Sequence, residues 1–169
     1  MISPPLFSEM KHLLLTTIVA VVLVGCGIQT PLSKASSNGE TKLVQSYLAN
    51  GSDVNERNFN GTTALHMAIH NRHTNIVKLL VASGADINVK CKNGFTTLHA
   101  AIGNYSQKVF VELLLANGAD VNTPVLYGEH KGKTVVDIAM QRNDEITDLL
   151  RKYGGKTGEE LKAEGNPVQ

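Results

Sequence analysis

The chain has 169 residues, with 16 Lys and Arg against 15 Asp and Glu and a formal charge of +1. Without a surplus of cations it has little with which to neutralise a run of phosphates, and no nucleic-acid partner is expected. Hydrophobic residues make up 42% and charged residues 18%, which suits one packed domain and is too apolar for long disorder.

The first predicted element is an address. Leu13 to Val24 is apolar except for Thr16 and Thr17, and it is shorter than the roughly 17 to 25 residues that cross a bilayer as a helix. Lys11 and His12 precede it and Gly25 and Cys26 follow, giving the charged, apolar and small-residue regions of a secretory signal over residues 1–25. Met10 is a natural start for that signal, because Met1 to Glu9 adds nothing the signal needs. Leu23-Val24-Gly25-Cys26 resembles the lipobox of bacterial lipoproteins. The resemblance implies cleavage before Cys26, lipidation of its thiol, and a chain anchored in the bacterial cell envelope, facing the periplasm or the exterior. Residues 26–29 would then be a short tether. The three acyl chains of that family exceed the two signals needed for stable anchoring. Gly27 stands where an Asp would retain such a protein at the inner membrane, which favours the outer one. A cleaved signal that releases a soluble periplasmic or secreted chain is the alternative reading.

From residue 30 the chain repeats itself. Gly61-Thr-Thr-Ala-Leu-His-Met-Ala-Ile69 and Gly94-Phe-Thr-Thr-Leu-His-Ala-Ala-Ile102 share Gly, Thr, Leu, His, Ala and Ile at an interval of 33. Asn50-Gly-Ser-Asp-Val-Asn55, Ser83-Gly-Ala-Asp-Ile-Asn88 and Asn117-Gly-Ala-Asp-Val-Asn122 form a second block, with one residue inserted near 103–107. Thr30-Pro31-Leu32 opens an earlier unit and Gly132-Lys-Thr-Val-Val-Asp-Ile-Ala139 a later one, with a longer hairpin over 126–131 between them.

Each unit reads as two helices. Thr63 and Thr96 can cap a first helix whose apolar positions 65, 68, 69 and 98, 101, 102 share one face. Ile76, Val77, Leu79 and Leu80 form the face of a second, ended by Gly84, which reaches left-handed geometry readily. Ordering the backbone of one unit costs about 1 to 2 kcal/mol per residue, and one helix pair has too little face to bury in return, so the units must stack to fold.

These two motifs in register resemble the ankyrin repeat. The resemblance implies an all-α solenoid of about four units, over 30–60, 61–93, 94–131 and 132–155, followed by a polar tail at 156–169 able to form at most a short helix. Ala64, Thr97 and Val135 replace the family's Pro, and Ser33 and Asp137 replace its His in the outer units. It further implies a non-enzymatic module that binds another protein through a concave surface of hairpin tips and first helices. At positions variable in the family this chain offers Phe59, Asn60, His70, Asn71, Lys90, Lys92, Phe95, Asn104 and Arg142.

His66 and His70 have the i, i+4 spacing of a zinc pair, but Met67 follows His66 where a metalloprotease has Glu, and no carboxylate or thiol nearby completes a shell. His66 and His99 are the family's structural histidines. No phosphate loop, nucleophile elbow or facing acid pair is present, so no catalytic, cofactor or metal site is expected. The chain is expected to be monomeric. Cys91, between Lys90 and Lys92 at a predicted hairpin tip, is a candidate for a disulfide-linked dimer.

Overall fold

The computed structural model describes residues 29–103, 108–141 and 144–165. The expected signal segment and Cys26 lie outside them, as do two expected site residues, Asn104 and Arg142. Among the described residues there are nine helices and no strand. Eight pair into four units: α1 (Pro31–Asn38) with α2 (Thr41–Ala49), α3 (Ala64–His70) with α4 (Thr74–Ala82), α5 (Thr97–Gly103) with α6 (Lys108–Ala116), and α7 (Val135–Ala139) with α8 (Asp144–Lys152). The ninth, α9 (Gly158–Ala163), follows the last unit.

The repeat interval becomes a column of buried side chains. Leu32, Leu65 and Leu98 stand one above another in α1, α3 and α5, and Ala35, Ala68 and Ala101 keep those helices close. Behind them Val44, Leu80, Leu114 and Leu150 fill the layer of second helices. No unit closes this core alone, and α1 packs on α3, α3 on α5, and α5 on α7. No helix among the described residues is long and apolar enough to cross a membrane.

Polar groups also tie the units to one another. In each Asp-x-Asn segment the Asp carboxylate accepts from the N–H of the Asn two residues on: Asp53 from Asn55 (2.9 Å), Asp86 from Asn88 (2.8 Å) and Asp120 from Asn122 (2.8 Å). The Asn side chain, freed from the turn, reaches the next unit. Asn88 donates to the Gly118 carbonyl (3.0 Å) and accepts from the Asp120 N–H (2.8 Å). Asn55 bridges likewise to Gly84 and Asp86, and Asn122 to Gly154 and Lys156.

That last clamp extends the array past residue 155, where the sequence suggests only a polar tail. Gly154 takes φ 80°, as Gly84 and Gly118 do at φ 84° and 82°. Thr157 then caps α9, with its hydroxyl accepting from the Glu160 N–H (3.2 Å) and the Glu160 carboxylate accepting from the Thr157 N–H (2.7 Å). Leu161 is only 6% exposed, so the segment is docked rather than appended. Asp137 explains the docking. At the position of the family's His, its Oδ2 accepts from the N–H of Thr134 (2.8 Å) and of Gly158 (2.8 Å), joining the start of α7 to the start of α9. A carboxylate can take both donors, and Gly158 fits because any side chain there would collide with the Gly132 carbonyl.

Candidate partner-binding surface

The loops between units fold back as hairpins. The N–H of Asn58 donates to the Thr62 carbonyl (2.9 Å), that of Cys91 to Phe95 (2.9 Å), and that of Val125 to Lys133 (2.9 Å). Successive hairpins are joined edge to edge, Lys92 N–H to the Asn60 carbonyl (2.9 Å) and Leu126 N–H to the Asn93 carbonyl (3.2 Å). This close approach requires Gly94: at φ 84°, a Cβ would lie 2.6 Å from the Leu126 nitrogen. The extra residues 126–131 lengthen the third hairpin beyond its paired base.

Beneath the hairpins a groove of about 340 Å³ runs between the second and third units. Its apolar walls come from Met67 on α3 and from Phe95 and Ala100 of the third unit, with His70 and Cys91 also lining it. Phe95 is half-buried and packs edge-on against His99 (centroids 5.5 Å apart) and His130 (6.2 Å), so it forms a fixed wall. Phe59 is 67% exposed, and the Lys92 ammonium sits 3.6 Å above its ring centre. An aromatic tip and a cation on adjacent hairpins thus hold each other by charge–quadrupole attraction. The Arg57 guanidinium donates to the Lys90 carbonyl across the same junction.

Other candidates carry structural duties. Asn71 is exposed, but its side-chain amide donates to Met67 (3.0 Å) within its own unit and to the Ser37 hydroxyl (3.1 Å) of the unit before. Asn60 lends its carbonyl to the hairpin edge. His70, Lys90 and Lys92 remain at the surface. Cys91 is half-buried in the groove wall, rather than projecting from a tip. Met67 and Ala100 were not among the sequence candidates, although both occupy the variable position after the signature His; a small or apolar residue there reads as core.

The two signature histidines sit under the groove. His66 Nδ1 accepts from the Thr63 N–H (3.3 Å), and His99 Nδ1 from the Thr96 N–H (3.2 Å), each closing the first turn of its helix. His66 is 5% exposed and His99 1%. Burial lowers both pKa values from 6.5 to about 4; Arg57 adds to the effect at His66, where the Phe95 backbone opposes it, and Asp120 opposes it at His99. Both rings are neutral at ordinary pH and act as acceptors through Nδ1.

A ribbon of hairpins over an open groove, carried by stacked helix pairs, defines a helical-repeat interaction module. A family model described as "Ankyrin repeats (3 copies)" matches residues 12–91, 32–125 and 83–160, overlapping spans that take in most of the chain. The chain belongs to the ankyrin repeat family, whose members are generally non-enzymatic modules for protein–protein interaction. Comparison with curated proteins gave no match.

Proposed function

We propose that this chain is a protein-binding module tethered to the bacterial cell envelope through a lipidated Cys26, with the hairpin ribbon and the groove below it as its binding face. The observation that supports the binding face is the groove itself, apolar in its walls and open to a partner, with Met67 of one unit facing Phe95 and Ala100 of the next. The tether rests on the lipobox-like Leu23-Val24-Gly25-Cys26. Three residues separate Cys26 from Thr30, a reach of roughly 10 Å at about 3.3 to 3.6 Å per residue, so the first unit would stand close to the bilayer.

Two measurements test the two halves of this reading. A clickable fatty acid should label the wild-type chain and leave Cys26→Ser unlabelled; equal labelling of both removes the anchor, and labelling of neither leaves the released soluble form. A photoreactive side chain at position 67 should crosslink a discrete envelope protein in cells, whereas the same group at the outward-facing Lys78 should not. Identical crosslinking from both positions would overturn the assignment of the binding face.

A further inference from the structure

The two ends of the stack are finished differently. At the far end α9 docks on the fourth unit, with Leu161 buried and Asp137 tied to Gly158. At the near end, among the described residues, no helix precedes α1 and α2, and positions that the next unit buries are open there. Leu43 is 40% exposed, whereas Ile76, its counterpart 33 residues on, is 1% exposed. Pro31 is exposed and Tyr47 half-buried, whereas Ala64 and Leu80 at the same interval are buried. Both units have a following neighbour, and α1 lies against α3 and α2 against α4, so the difference comes from the side facing away from the stack. Pro31, Leu43 and Tyr47 wall a groove of about 420 Å³ that Gln29 also lines. The outer face of a terminal repeat is ordinarily polar, and this one is not.

We propose that this open end seats on the lipid bilayer, with Pro31, Leu43 and Tyr47 in the boundary between headgroups and acyl chains, so that the units rise from the membrane in chain order. The proposal rests on the lipid-anchored reading and adds the surface that touches the membrane. Placement carries it. Only Gly27 and Ile28 lie between Cys26 and Gln29 in the groove wall, a reach of roughly 10 Å at about 3.3 to 3.6 Å per residue. Acyl chains on Cys26 therefore hold the groove within that distance of the bilayer. The tether has already met the entropic cost of bringing the two together, and the apolar surface gains by leaving water. Tyr47 suits the boundary, since a tyrosine has an apolar ring and a polar tip. Charge contributes less. Helices α1 and α2 and the turn between them carry two cations, Lys34 and Lys42, against Glu40, whose carboxylate accepts from the Asn38 amide (3.0 Å). That balance is too even for a polybasic anchor, so the seat does not require anionic lipid.

The test uses the purified chain with its lipid on Cys26, in a Cys91→Ser background, reconstituted into phosphatidylcholine vesicles with or without bromine on the acyl chains. A fluorophore is attached at Lys34→Cys, in the groove wall, or at Tyr153→Cys, on the exposed surface of the last unit. Bromine should remove most of the fluorescence at position 34, as seating roughly 5 to 10 Å into the boundary requires, at low and high salt alike, and should leave position 153 bright. Pro31→Glu with Leu43→Glu should restore most of the brightness at position 34 while the chain stays on the vesicles; unchanged helical circular dichroism shows that each variant is folded. No quenching at position 34, equal quenching at both positions, or quenching indifferent to the two Glu changes overturns the proposal. Energy transfer between copies labelled at position 34 would assign the groove to a second copy instead, and also overturns it. If Cys26 carries lipid and position 34 stays bright, the anchored reading stands and the bilayer seat falls. Residues 12–28, to which the family match reaches, are the remaining occupant. A purified chain that keeps them and has no lipid on Cys26 fails the anchored reading itself, and the bilayer seat with it.

Discussion

Acidification should loosen this stack well before its carboxylates are neutralised, because two imidazoles are buried uncharged in adjacent units. His66 and His99 have pKa values lowered from 6.5 to about 4 by burial. Below 6.5 the unfolded chain takes up protons at both rings while the folded chain does not, so the unfolded state gains proton-binding free energy as the pH falls. The contribution to stability is therefore complete above pH 6.5, declines through the window between 6.5 and 4, and is lost below it. At about 1.4 kcal/mol per pKa unit each histidine is worth roughly 3 kcal/mol across the whole window and about 2 kcal/mol by pH 5. The pair then removes about 4 kcal/mol at pH 5, a large share of a typical domain's 5 to 15 kcal/mol. The surface pairing of Glu160, whose pKa the Arg151 guanidinium holds down to about 2, survives that change. Urea unfolding followed by circular dichroism at pH 7.5 and pH 5 measures the loss, and NMR titration of the two rings assigns it. A stability that stays flat over this window, or native rings that titrate near 6.5, would refute the reasoning.

Asn88→Ala removes both bonds of the clamp between the second and third Asp-x-Asn segments and should cost about 2 to 3 kcal/mol, read as a lower urea midpoint. Leu161→Ala should cost about 2 kcal/mol, the lower end for a large-to-small change in a buried position, and should speed amide exchange around Asp137; no change in either would mean that α9 does not contribute to the array. Half-burial of Cys91 should make its alkylation by a bulky maleimide slower than that of a surface cysteine placed at Lys131, with monomer dominant on non-reducing gels under mild oxidant. A Cys91-dependent dimer band under those conditions would show that the groove wall opens.

The fold was legible because its signals are periodic. Leu32, Leu65 and Leu98 fall at equal intervals, and the Gly, Thr and Asn positions mark the helix ends and turns between them. The role of Asn55, Asn88 and Asn122 was only half legible. Sequence places them in a turn, where Asp53, Asp86 and Asp120 do the turning and leave the Asn amides to bridge units. Asp137 was visible as a departure from the pattern, but its reason lies in Gly158, 21 residues on, and a contact at that range has no local sequence signal. Exposure of the candidate residues was partly legible: Phe59, His70, Lys90 and Lys92 are at the surface, whereas Phe95 packs against His99 and His130 and the Asn71 amide is tied to Ser37. Variability at a motif position reports freedom from the family's core contacts. It does not report whether this chain has used the residue for a contact of its own.

The asparagine bridges run in one direction, each reaching from its own unit to the one that follows. Every internal unit therefore carries a plug for its successor and a socket for its predecessor, in the form of the Gly carbonyl and the next Asp N–H. In-frame duplication of residues 61–93 would add a unit whose two ends already match, without inventing a contact. Growth at the far end is different, because the last plug, Asn122, is filled by Gly154 and Lys156, and Asp137 and Gly158 seal the edge behind it. Copy number in this architecture can thus change in the middle, by duplication or loss of a 33-residue segment, while the terminal segment stays in place as a stop.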